Sequence, residues 1–433
     1  MTANPPNTTA PGISPDGGER IAAVQRRTLT VLSAAQISGG IGVAVGLTFS
    51  SVTVEELSGS TALSGLAGTA TVLGAALLAL PTAKSSGRGG RRAGLVLAYG
   101  CALLGCLVSL LAVGLGSWPL LLAGLVLFGA ASAGGLASRY AATDLSPPGH
   151  SARHLSLVVW ATTVGSVTGP NLAGPAERFS SGLGLPPGGG PFAIALVGFA
   201  IALGIIVIAL RPDPLLLARS TDPAPEASPA PGTSPAPGKT GGTLRTAWRV
   251  LRGTPVAGRA LVAIAVSHTA MVSIMSMTPV HLDHGGSTYT VIGIVISLHI
   301  AGMYALSPVV GWLADRAGRT PVLVLGMGLL LAAAVLAGGA GAHDVTRVTV
   351  GLVLLGLGWS CGLISGSAML SEAVPLEHRT PVQGLSDLLM NVCGATGTVI
   401  AGVVVGTLSY GVLGATVAVM VTVTGAWLTL ARA

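Results

Sequence analysis

A chain of 433 residues with 51% hydrophobic and only 9% charged residues cannot stay in solution as a water-soluble globular domain. Its net charge of +7 raises the question of nucleic acid, but the basic residues sit in short intervals between long apolar stretches, which excludes a nucleic-acid-binding face. No nucleophile constellation, phosphate-cradling loop or closed metal-site spacing is present, so neither an enzyme nor a resident cofactor is expected.

Residues 1–27 are rich in Pro, Asn, Thr and Gly and read as a disordered tail, within which the Asn7-Thr8-Thr9 sequon carries no weight. A membrane helix needs roughly 20 mostly apolar residues. Windows of that kind predict an all-α membrane protein of twelve spans: 28–50, 61–80, 93–115, 119–140, 155–175, 191–210, 259–280, 290–313, 322–340, 346–370, 383–408 and 409–431. The interval 211–258, dominated by a Pro, Ala, Ser, Thr and Gly stretch from Asp222 to Thr243, reads as a linker between two six-helix halves, 28–210 and 259–433. The 64 glycines point to close helix packing in lipid, where no hydrophobic force draws helices together. Cys101, Cys106, Cys361 and Cys393 fall inside spans and read as small core residues.

Reading the loops alternately places 20 of the 22 Lys and Arg on one side, with only Arg178 and Arg347 on the other. This positive-inside pattern predicts both termini and the linker in the cytoplasm.

Six spans, a long cytoplasmic loop and six more spans resemble the major facilitator superfamily. The interval after the eighth span, Gly311-Trp-Leu-Ala-Asp315-Arg316-Ala-Gly318-Arg319, resembles that superfamily's loop signature G-x-L-x-D-R-x-G-R. The corresponding first-half loop, Pro81 to Arg92, keeps the glycines and basic residues but has no acid. In the fifth span, Gly165 to Pro175 resembles the G-x3-G-P-x2-G-G element of many antiporters, departing at Ala173. Physically this is a kinkable, close-packing helix.

Polar groups are costly in lipid and therefore informative. Residues 268–303 hold four of the nine methionines, Met271, Met275, Met277 and Met303, and four of the eight histidines, His268, His281, His284 and His299. Met271 and Met275 on the seventh span, and His299 and Met303 on the eighth, are each four apart and so share a helix face. Antiparallel spans would let these four form a site of two tiers, a thioether and imidazole set suited to Cu(I). Each residue alone reads more readily as core filler or as a hydrogen-bonded histidine than as a ligand. Random placement expects roughly 0.2 of each pair in the chain, so both on adjacent spans is a coincidence of a few per cent.

The same two pairs resemble the CcoA-like copper importers, a branch of that superfamily marked by M-x3-M in the seventh helix and H-x3-M in the eighth. The resemblance implies copper as the transported substrate, imported across the bacterial cytoplasmic membrane by alternating access, with symport or uniport both open. Close relatives without these motifs resemble riboflavin transporters, and a proton-coupled exporter of drug-like molecules stays open on the fifth-span element. Copper and the bilayer are then the expected partners, with no nucleic acid and a monomeric chain. Accessory candidates are His268 as inner ligand or proton carrier, and His281 and His284 as collectors in an outer loop. Asp387 and Asn391, four apart, share a face of the eleventh span, where Asp387 reads equally as a gate residue or as a group near the cytoplasmic end, whereas Arg139 and Asp144 read as structural.

Overall fold

Within a bilayer, backbone amides find no water, so apolar segments satisfy them internally as α-helices. Every regular element among the described residues is helical. The computed structural model describes residues 15–172, 182, 188–221 and 243–430. The first half contains α1 (Pro15–Ser58), α2 (Thr61–Gly114), α3 (Trp118–Phe128), α4 (Ala130–Ala141), α5 (Ser151–Asn171) and α6 (Gly190–Ala209). Two short helices follow, α7 (Pro214–Thr221) and α8 (Thr243–Gly253). The second half contains α9 (Pro255–His284), α10 (Tyr289–Tyr304), α11 (Ser307–Ala317), α12 (Arg319–Gly338), α13 (Val345–Ala373), α14 (Arg379–Thr407) and α15 (Tyr410–Leu430).

Among the described residues, ten helical stretches are long and apolar enough to cross a membrane. One of them, Leu66–Gly114, is 49 residues long and holds both the second and third predicted spans. The fifth predicted span overlaps α5, which is not one of the ten, while α3 with α4 and α10 with α11 each form one span.

Three expectations need correction. The supposed loop from Pro81 to Arg92 is helical on both sides of a single break at Gly90, whose φ of 82° is a left-handed value open to glycine. A Cβ there would also collide with the Asp213 carboxylate. The expected tail 1–27 is helical from Pro15, because Gln25 finds a tertiary partner: its Nε2–H donates to the Ala142 carbonyl at 2.7 Å. The linker 211–258 is flanked by ordered helices rather than being irregular throughout, with α7 packed on α1 and α2 and α8 packed on α14. Residues 222–242, the sequon, Ala173 to Pro175 and Arg178 lie outside the described residues.

The halves meet along two seams, α2 against α14 and α5 against α10 and α11. Each seam is closed by a glycine of the second half. Gly384 lies on Ala83, and Gly311 lies on Ser156 and the Ala152 carbonyl, so closely that a Cβ at either would overlap its neighbour.

Candidate functional site

A cavity of about 490 Å³ lies between the halves. The first half contributes Gln36 and Gly40 from α1, Tyr99 from α2, Arg139 from α4, and Thr162 and Ser166 from α5. The second half contributes His268 and Met271 from α9, Met303 and Tyr304 from α10, Trp359 from α13, and Met390 and Asn391 from α14. This volume and mixed aromatic and polar lining fall in the range of sites that hold small organic molecules.

The wall on the second-half side is fixed by internal bonds. The Trp359 indole N–H donates to His268 Nδ1 at 3.1 Å, so that nitrogen is an acceptor and the ring's proton sits on Nε2. Tyr304 meets Trp359 edge to face, with ring centroids 5.5 Å apart. Asn391 donates to the Asp387 carbonyl at 2.8 Å, one turn earlier on α14.

At one end the cavity floor is a buried cross-half pair. Arg139 Nη2 donates to Asp387 Oδ1, and Tyr140 OH donates to Ser386 Oγ at 3.2 Å. Beyond this floor lies the end of the bundle that carries α7 and α8, termed here the linker end. There Arg91 makes a bidentate pair with Asp144 at 2.7 and 2.9 Å and donates to Gln383 of the other half at 2.8 Å. Asp213 accepts from the amides of Arg91 at 3.1 Å and Arg92 at 2.8 Å. In the second half, Asp315 accepts from the amides of Ala152 and Arg153 across the seam, at 3.2 and 2.9 Å. Arg319 pairs with both Asp315 and Glu372. The linker end is therefore shut. A larger cavity of about 710 Å³ opens among Asp144, Asp315, Arg319 and Glu372, but these latch charges already satisfy one another.

The four residues expected to form one two-tier site are divided. Met271 and Met303 line the cavity, whereas Met275 and His299 are not among its lining residues. His299 Nδ1–H donates to the Leu352 carbonyl at 2.7 Å, turned toward α13. The reason is the docking of α10 on α13, where Gly356 lets the backbone at His299 and Met303 come close. His268, Asn391 and Met390 do line the cavity, whereas Asp387 is not among its lining residues and pairs with Arg139, which is one of them. His281 and His284 are not in a loop, since α9 continues through His284 and ends at Gly285-Gly286. His281 stacks on Tyr410 at 4.1 Å and bonds to the Ala340 carbonyl at 3.2 Å, while His284 is exposed. Within the signature interval, Gly311 closes a seam, Asp315 and Arg319 form the latch, Arg316 lies over the Trp312 ring at 5.4 Å, and Gly318 has a φ of 94°.

Sequence reasoning missed Gln36, Tyr99 and Tyr304 and gave Arg139 a merely structural role. The available signal was polarity at span depth, since Gln36 and Arg139 are costly residues there.

Comparison with known proteins agrees with this architecture. The profile of the Major Facilitator Superfamily matches residues 29–289 and 282–433. The MFS-type transporter YddS of Bacillus subtilis, of uncharacterised activity, is 35% identical over 405 residues, covering 94% of this chain and 91% of its own length. The riboflavin transporter RfnT of Brucella anthropi is 26% identical over 386 residues, covering 85% of this chain and 86% of its own. Among solved structures, the human organic anion transporter MFSD10 (TETRAN) superposes with a TM-score of 0.76 at 16% identity, covering 93% of this chain and 99% of that one. With the profile spanning both halves and a relative at 35% identity over nearly the whole length, the chain belongs to the major facilitator superfamily, a family of membrane transporters rather than enzymes.

Proposed function

We propose that this transporter carries a small organic solute with a planar ring system, held in the central cavity and moved by alternating access between the two halves. The observation that carries this reading is the cavity itself: Trp359, Tyr304 and Tyr99 line it with aromatic rings, and Gln36, His268 and Asn391 line it with polar groups. The similarity to RfnT supports a solute of that kind. On the charge distribution, the linker end faces the cytoplasm, so the closed floor leaves the cavity to be loaded from the outside of the cytoplasmic membrane.

Copper import is the second reading, favoured by Met271 and Met303 on one cavity wall. It lacks the convergence of four ligands, because Met275 and His299 are not among the residues that line the cavity.

Uptake by cells with and without the chain separates the two. Labelled riboflavin, as ring-bearing probe, accumulates in the first reading, and Trp359→Leu lowers that uptake about tenfold while leaving membrane abundance unchanged. Labelled copper is taken up equally by both cells. Copper accumulation that depends on the chain and is lost in Met271→Leu and Met303→Leu would instead establish the metal reading.

A further inference from the structure

The floor of the cavity contains a cation with most of its hydrogen-bonding capacity unused. A guanidinium has five N–H donors. On Arg139, Nη2 serves Asp387 and Tyr140, the latter at 3.3 Å, while Nε and Nη1 have no partner. Arg139 is 1% exposed and borders the cavity, so these donors are desolvated by protein in a side chain that lies at the space a solute would fill. An unmet donor costs most when buried and charged, which makes this arrangement expensive unless an acceptor arrives. The contrast with Arg91 is direct: that guanidinium is equally buried but grips Asp144 with two nitrogens and Gln383 as well.

We infer that Arg139 is the anion-recognition residue of the central cavity, and that the preferred solute is an organic anion whose carboxylate or phosphate takes the free Nε and Nη1 edge. This rests on the ring-solute reading and adds the charge of the solute to it. A planar oxyanion matches the fork of N–H groups, and such charge-assisted bonds are about twice as strong as neutral ones. The ring body then lies toward Trp359 and Tyr304. Asp387 competes for the same guanidinium from the other side, as a like charge to the arriving anion. Removing that competitor therefore strengthens anion binding, the opposite of what a purely structural ion pair would do.

The test uses the purified full chain and two matched pairs of probes: 1-naphthoate with 1-naphthamide, and riboflavin 5′-phosphate with riboflavin. Affinity is read by ligand-induced thermal stabilisation. In the parent protein the anionic member of each pair binds tighter by roughly tenfold or more. Asp387→Asn increases that preference. The double change Arg139→Gln with Asp387→Asn removes both charges together, so no buried ion is left unpaired, and it abolishes the preference, read as the ratio of anionic to neutral binding in the same protein. Equal binding of acid and amide in the parent, or a preference that survives the double change, would overturn the assignment while leaving the ring-solute reading intact. Absence of binding by all four probes would overturn the ring-solute reading and this inference with it.

Discussion

The two helix breaks that shut the linker end, at Gly90 and Gly318, stand at equivalent places in the two halves yet use different chemistry. In the second half the acid itself crosses the seam: Asp315 caps the start of α5, and Arg319 holds it together with the partly exposed Glu372. In the first half the loop has no acid, so Arg91 is sealed against Asp144 of its own half, and only the neutral Gln383 side chain reaches the partner half. Asp213, from the segment after α6, supplies the missing amide cap. One latch is thus a buried charge that must remain paired for the half to fold, and the other is a set of charges near water that can separate when the halves part.

The largest effect that tests this contrast is Asp144→Ala. It strands a buried guanidinium and should cost about 3–5 kcal/mol, read as a steep loss of thermal stability in detergent. Replacing Arg91 and Asp144 together by leucine should recover most of that loss. A mild Asp144→Ala phenotype would erase the distinction between the latches. Next is Asp315→Ala, which removes two charge-assisted bonds to α5 amides, an effect of about 1–2 kcal/mol. Because those bonds cross the seam, the change should appear as population of a state open at the linker end, measured by electron spin distances between labels at Gly149 and Glu377. An unchanged distance distribution would mean that the acid is not part of the release. Smallest is Glu372→Ala, at or below about 1 kcal/mol, since its side chain is 38% exposed and Arg319 keeps Asp315. A cost comparable to that of Asp144→Ala would show the second latch to be a folding element as well.

The contrast also explains what could be read from the sequence. Apolar windows located the spans because in lipid the requirement is local: each segment must satisfy its own amides. The loop from Pro81 to Arg92 was misread because its polar residues look solvated in isolation. Burial of Arg91 depends on Asp144, 53 positions away, and on Gln383, 292 positions away. The methionine and histidine spacing predicts shared faces for Met271 with Met275 and for His299 with Met303, but spacing does not say which neighbour a face meets. Docking of α10 on Gly356 of α13 decided that, taking His299 to Leu352 and leaving Met303 at the cavity edge. Arg139 and Asp387 were both visible as charges at span depth, yet their pairing across 248 positions was not.

The anchoring of the linker at both ends has a consequence for assembly. Asp213 and the bond from Arg219 to the Gly87 carbonyl, at 2.8 Å, tie its start to the first half, while α8 packs on α14 of the second. The stretch from Asp222 to Gly242 between them is long enough to span roughly 70 Å if fully extended, at about 3.3–3.6 Å per residue. Its covalent continuity sets an effective concentration at which each half encounters the other. Cutting the chain there would convert that encounter into one between separate molecules confined to the same membrane, with every seam and latch contact still available to re-form.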